Sequence, residues 1–216
     1  MSNLAVDAAF SRSQPLREHP FKRVLRRTEL RVGDDRAVQR LSLSSAGHLY
    51  KREGVGDRQQ ASVGTEERSL RVASDQLVIN PMWLTGGSIA VSKVDGAVSP
   101  DYRVFEANRD RLHPRYLHHL MRSQPYRDQY NLFVRANTTF DRRIQQEDLD
   151  QLPLWLPELE QQRRIADFLD DRVARIDQII AARRLQTAGI REKWACDLES
   201  ILDAVPETTR ASRVVR

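Results

Sequence analysis

The densest grouping of chemically capable side chains is Arg135-Ala-Asn-Thr-Thr-Phe-Asp-Arg-Arg-Ile-Gln-Gln146, which puts amides, hydroxyls and three arginines around one bulky apolar residue, Phe140. Arginine and hydroxyl groups position phosphates, while Asn and Gln match adenine edges and Arg matches guanine. A solvated surface loop has the same composition, so this segment alone leaves both readings open. A second basic group, Lys51, Arg52 and Arg58, falls in Gly47 to Gly64, where four of the nine glycines predict a mobile loop.

Other strings suggest catalysis, each weakly. Asn80-Pro-Met-Trp83 echoes the polar-Pro-Pro-aromatic box with which adenine-N6 methyltransferases hold a flipped base. Met82 replaces the second proline, and no strand followed by a glycine-rich turn and a helix is present to accept a cofactor. Asp101 and Glu106 resemble a nuclease metal site only loosely, being too close in sequence and followed by no lysine; chance carboxylates on a strand account for them better. His118 and His119 are adjacent and point to different faces of a helix, poor metal geometry, and with His113 they read as surface or capping histidines. The residues therefore assign no catalytic group, no metal and no cofactor.

The elements that must position these side chains change character often, as in a mixed α+β domain. Ala37 to Leu43 alternates like a half-buried strand, and Gln76 to Asn80 reads as another. Ile89 to Ser92 and Ala97 to Ser99, joined through Asp95-Gly96, predict a hairpin. Pro114 opens a helix through Met121, which Pro125 restarts or kinks toward Tyr130. Pro153 and Pro157 bracket an extended Leu154 to Leu156; Pro157 then starts a helix of about 45 residues to Ala204, about 70 Å long at 1.5 Å per residue.

Along that helix, one heptad series reads Ala166, Val173, Ile180, Thr187, Trp194, Ile201 and its complement Gln162, Leu169, Ile176, Arg183, Ile190, Asp197. Eight of the twelve positions are apolar, which predicts a coiled-coil seam through Leu169, Val173, Ile176, Ile180, Ile190, Trp194 and Ile201. The alternatives are a helix folded back on its own domain, or one broken in two at Gly189. The expected organisation is a polar, disordered leader (1–20), a mixed α/β domain (21–156), the long helix (157–204) and a disordered tail (205–216).

Charge follows this division. Residues 1–150 carry 24 Lys and Arg against 19 Asp and Glu, whereas the remainder carries 11 of each. A basic globular part beside a neutral helix fits a nucleic-acid binder, though an excess of five is modest. The single cysteine, Cys196, excludes a disulfide framework and suits a reducing compartment, the cytoplasm by default. No apolar run reaches the length of a membrane span, so no membrane association is expected.

The stretch Leu152-Pro-Leu-Trp-Leu-Pro-Glu-Leu-Glu-Gln-Gln-Arg-Arg-Ile-Ala-Asp-Phe-Leu-Asp170 closely resembles the end of a target recognition domain and the spacer helix after it in the specificity subunits of type I restriction-modification systems. The blocks Leu77 to Ser92, Gly96 to Phe105 and Ala136 to Ile144 resemble that family in the same order, so the resemblance covers roughly residues 20–204. It implies a non-catalytic subunit that reads one half of a split site in double-stranded DNA and docks the methyltransferase and the endonuclease/translocase subunits. Full-length members carry two recognition domains and two spacer helices; this chain has one of each, which implies a half-subunit whose copies pair head-to-tail. Contacts vary with target in the family, so the candidate DNA-binding residues, Lys51, Arg52, Arg135, Asn137, Thr138, Arg142 and Arg143, rest on their chemistry here. Trp83 and Tyr102 are expected to be structural. A truncated remnant, a protein-binding scaffold and, more remotely, a stand-alone adenine-N6 methyltransferase are the competing readings.

Overall fold

The computed structural model describes residues 16–35, 37–52, 67–134 and 143–204. The chain divides into two compact units, residues 1–167 and 168–216.

Among the described residues, ten short strands and four helices build the first unit. Strands β1 (Arg17–Pro20) and β10 (Pro153–Leu156) pair antiparallel; β2 (Leu25–Thr28), β9 (Arg103–Ala107), β6 (Leu77–Ile79) and β7 (Ile89–Val91) form a four-stranded antiparallel sheet in that order. Two further pairs are β3 (Leu41–Leu43) with β4 (Leu49–Lys51) and β5 (Leu70–Val72) with β8 (Gly96–Val98). The helices are α1 (Phe21–Val24), α2 (Pro114–Arg122), α3 (Gln124–Phe133) and α4 (Gln146–Gln151). This is the expected mixed α+β architecture.

Side-chain alternation explains why β6 is apolar at every position. Successive residues of a strand face opposite sides. Leu77 and Ile79 therefore enter the larger core with Phe21, Phe105, Leu117 and Tyr130, while Val78 joins Leu41, Leu70, Val72, Val98 and Val104 in a smaller one. Both faces of the central sheet are covered, and Phe21 meets Phe105 edge to face with ring centroids 4.9 Å apart.

The junction with the long helix is tied down by polar side chains buried for that purpose. Tyr116 donates its hydroxyl to the Trp155 carbonyl (3.0 Å), Tyr126 donates to the Pro153 carbonyl (3.0 Å), and the Trp155 amide donates back to the Tyr126 oxygen (3.2 Å). Burial pushes the Tyr116 phenol up to about 12, so it remains a donor throughout the neutral range. Helix α5 (Leu159–Ala204) runs 46 residues. Within its first turn Gln162, fully buried, donates to the carbonyls of Arg111 and Pro157 (both 2.8 Å) and accepts from the His113 amide (2.9 Å). Ala166 is buried in the larger core.

Several expectations need correction. Ile89–Val91 and Gly96–Val98 are strands but not a hairpin: β7 pairs with β6 and β8 with β5. Asp95 caps a neighbouring segment, accepting from the Ser74 amide at 2.8 Å, and Gly96 is needed for close approach, because a Cβ there would lie 2.7 Å from the Gln39 carbonyl oxygen. The hairpin turn lies instead at residues 80–88, where Gly87 takes a positive φ of 86°. Residues 17–20 are not leader but strand, held by β10. Residues 49–51, expected in a loop, form β4 after a turn at Gly47, whose φ is 83°. Helix α5 continues through Gly189 without a break; its many neighbouring helical hydrogen bonds absorb the roughly 1 kcal/mol cost of one glycine.

Candidate nucleic-acid interface

Of the seven candidate DNA contacts, Lys51, Arg52 and Arg143 lie among the described residues; Arg135, Asn137, Thr138 and Arg142 lie outside them. Lys51 ends β4 and is exposed. Arg52 follows it, with its amide bonded to the Arg40 carbonyl at 3.0 Å. Arg143 precedes Ile144, which is fully buried and donates its amide to the Pro81 carbonyl at 3.1 Å, so the backbone beside Arg143 is fixed to the turn after β6.

Tyr102 and Asp101 lie near these positions. Burial raises the Tyr102 phenol, as do the Tyr50 and Asp101 side chains, whereas the nearby Arg52 guanidinium and a hydrogen bond with Asn80 lower it. The Asp101 carboxylate in turn holds Arg143 at 3.5 Å. Arg52 and Arg143, far apart in sequence, thus each lie near one of two consecutive residues just before β9. Asn80 is occupied in the turn, its side-chain oxygen accepting the Met82 amide at 3.1 Å. That geometry makes Asn80-Pro-Met-Trp83 a turn motif rather than a base-holding box.

Two arginines that the sequence did not single out complete the surface. Arg103, the first residue of β9, is only 8 % exposed, and its Nη1 has no hydrogen-bond partner among the described residues. Burial pushes its pKa down to about 10, and the charges of Arg27 and Arg143 push it the same way, with Glu147 and Asp150 of α4 opposing. It remains a cation at neutral pH. Arg27 faces Phe105 across β2 and β9, placing it diagonally beside Arg103 on the same side of the sheet. An arginine directly before an apolar Val-Phe pair, Arg103-Val-Phe, was the signal available in the sequence.

Other arginines are structural. Arg122 donates to the Gly87 carbonyl at 2.6 Å, and Arg26 pairs with the half-exposed Glu106 across β2 and β9.

Within the second unit, the seam residues Val173, Ile176, Ile180, Ile190, Trp194 and Ile201 are 43 to 67 % exposed, and Leu169 is half-buried. Leu198 and Ile179 flank the same stripe and are exposed too. At its middle, Thr187 bonds back to the Arg183 carbonyl (2.9 Å) and Arg183 donates to Gln186 (3.2 Å), forming a polar layer.

A unit of antiparallel strand pairs and short helices followed by one long helix is a fold shared with solved chains of type I restriction-modification systems. One solved chain, from work on complex assembly and conformational transition of the type I R-M system, matches with a TM-score of 0.66 at 20% identity, over 90% of this chain and 50% of that one. The HsdS subunit from Thermoanaerobacter tengcongensis matches with a TM-score of 0.56 at 18% identity, over 81% of this chain and 46% of that one. This chain spans about half the length of the solved chains it matches. No protein-family model and no curated protein matches it.

Proposed function

We propose that this chain is a DNA sequence-recognition subunit of a type I restriction-modification complex: the first unit reads one half of a split site, and the helix docks the methyltransferase and endonuclease/translocase subunits while performing no chemistry itself. The observation that carries the reading is the fold match, which spans one recognition-type unit with its helix and half of a solved specificity subunit. The basic surface joining Arg52, Arg143 and Arg103 supports it.

The uncovered seam supports head-to-tail pairing with a second copy. If two α5 helices run antiparallel about an axis at Leu185, Ile180 faces Ile190, Ile176 faces Trp194 and Leu169 faces Ile201 of the other copy. Arg183 then meets Thr187, polar against polar; only Val173 against Asp197 is mismatched. A shift of one heptad sets Arg183 against Ile180 or Trp194, and parallel pairing sets Arg183 and Asp197 each against its own like charge. Seam matching of this kind selects register and orientation.

Co-expression with the methyltransferase subunit, followed by sequencing of host DNA for adenine methylation, tests the function. Methylation at a split motif only when this chain is present is expected, and a palindromic motif would follow from two copies. Unchanged methylation would favour a remnant or a protein-binding scaffold.

A further inference from the structure

Resting on the DNA-reading proposal above, we infer that Arg27, Arg103 and Arg143 form one phosphodiester-binding site, with Arg103 as its floor and the two exposed arginines as its sides. A cation taken almost wholly out of water is costly unless its donors are matched. Arg103 is buried, leaves Nη1 unmatched among the described residues, and has two further cations as neighbours. Packing alone gives no reason to keep a guanidinium here, since an apolar side chain of the same length would fill the space without that penalty.

The neighbours are held loosely. Arg27 pairs with Glu29 at 3.0 Å and Arg143 with Asp101 at 3.5 Å, and both carboxylates are more than half exposed. Such surface pairs contribute little and are screened by salt. A backbone phosphate entering between Arg27 and Arg143 replaces these carboxylates with one shared anion, offsets the mutual repulsion of the three cations and accepts from the unused donor. Arginine suits this task because its fork of donors matches phosphate oxygens. The carboxylates of Glu147 and Asp150 offset part of this repulsion.

The site sits where the sheet margin meets the segment before α4: Arg27 is the penultimate residue of edge strand β2, Arg103 begins β9, and Arg143 is anchored through Ile144. Positioning by backbone phosphates fixes orientation without carrying sequence information. Loss of the site therefore weakens binding to every sequence equally.

The test uses the full chain, a 30-bp duplex of mixed sequence and R103M, with Arg103→Lys as a second variant. Binding is measured across a salt series and stability by thermal unfolding. R103M should bind about tenfold more weakly, with the salt slope reduced by about one, and be at least as stable as the wild type. R103K should keep most of the slope while losing affinity. If the wild type binds and R103M binds equally well, the site is overturned and DNA reading stands. If R103M instead unfolds at lower temperature with its slope intact, Arg103 is a structural residue and the inference fails. A wild type that binds no duplex at low salt overturns both.

Discussion

Replacing Gln162 by Leu should detach the base of the long helix from the domain beneath it. The three hydrogen bonds of its amide reach the Arg111 and Pro157 carbonyls and the His113 amide, all with a side chain that is fully buried. Leucine conserves most of the volume, so no large cavity forms. The loss is instead that of polar satisfaction: three backbone groups in a dry site lose their partner, at about 1 kcal/mol each if partly re-solvated, roughly 3 kcal/mol in total. With a urea dependence of about 2 kcal/mol/M for a unit of this size, the midpoint should fall by about 1.5 M. Urea unfolding followed by tryptophan fluorescence reads this directly, since Trp155 sits on the strand next to the junction. A midpoint shift below about 0.5 M would refute the view that Gln162 ties helix and domain together.

Gly96→Ala should destabilise the first unit by about 2 kcal/mol, because the new Cβ would meet the Gln39 oxygen and a Leu41 methyl, each at 2.7 Å; thermal unfolding checks it, and an unchanged Tm would mean that β3 and β8 can part freely. In a C196S background, R184C should form a disulfide-linked dimer under mild oxidation, since antiparallel pairing brings residue 184 of both copies beside the two-fold axis; a chain that stays monomeric on non-reducing gels counts against the register. Ile180→Asp should weaken self-association about a thousandfold, on the basis of about 2 kcal/mol at each of two symmetric layers, as read by sedimentation. Burial, aided by Arg115 and Arg163, holds the His113 imidazole below its ordinary value of 6.5. The neutral ring is thus favoured on folding, and its contribution is present above pH 6.5 and lost as pH falls through the lower folded value. H113N should flatten the decline of the urea midpoint between pH 6.5 and 5 relative to the wild type; parallel curves would remove His113 as a cause.

Local signals made the long helix, β6 and the break between α2 and α3 readable, because each depends on its own residues: an apolar seam, a Leu-Val-Ile run, a proline. The pairing of strands was not readable in the same way. Asp95-Gly96 carries a strong turn signature, yet its glycine answers to Gln39 and Leu41, more than fifty residues upstream, and β7 takes its partner from the other side of the 80–88 turn. Strand β1, Arg-Glu-His-Pro, shows no alternation because β10 alone gives it a reason to be extended. The candidate site was legible to the extent that exposed basic residues can be picked out by type. Arg52 and Arg143 lie near Tyr102 and Asp101, and Arg103 became notable only once its burial was known, since burial of a charge is a property of the fold around it.

The pairing of Arg17–Pro20 with Pro153–Leu156 has a consequence for how such a unit can change hands. Its first and last strands run side by side about 4.8 Å apart, with Arg17 3.7 Å from Glu158 at the foot of the helix. Everything between them is a closed excursion that leaves and returns at nearly one point. Recombination that cuts on either side of this pair would exchange the whole module as a cassette without altering the spacing of the sequences to which it is joined.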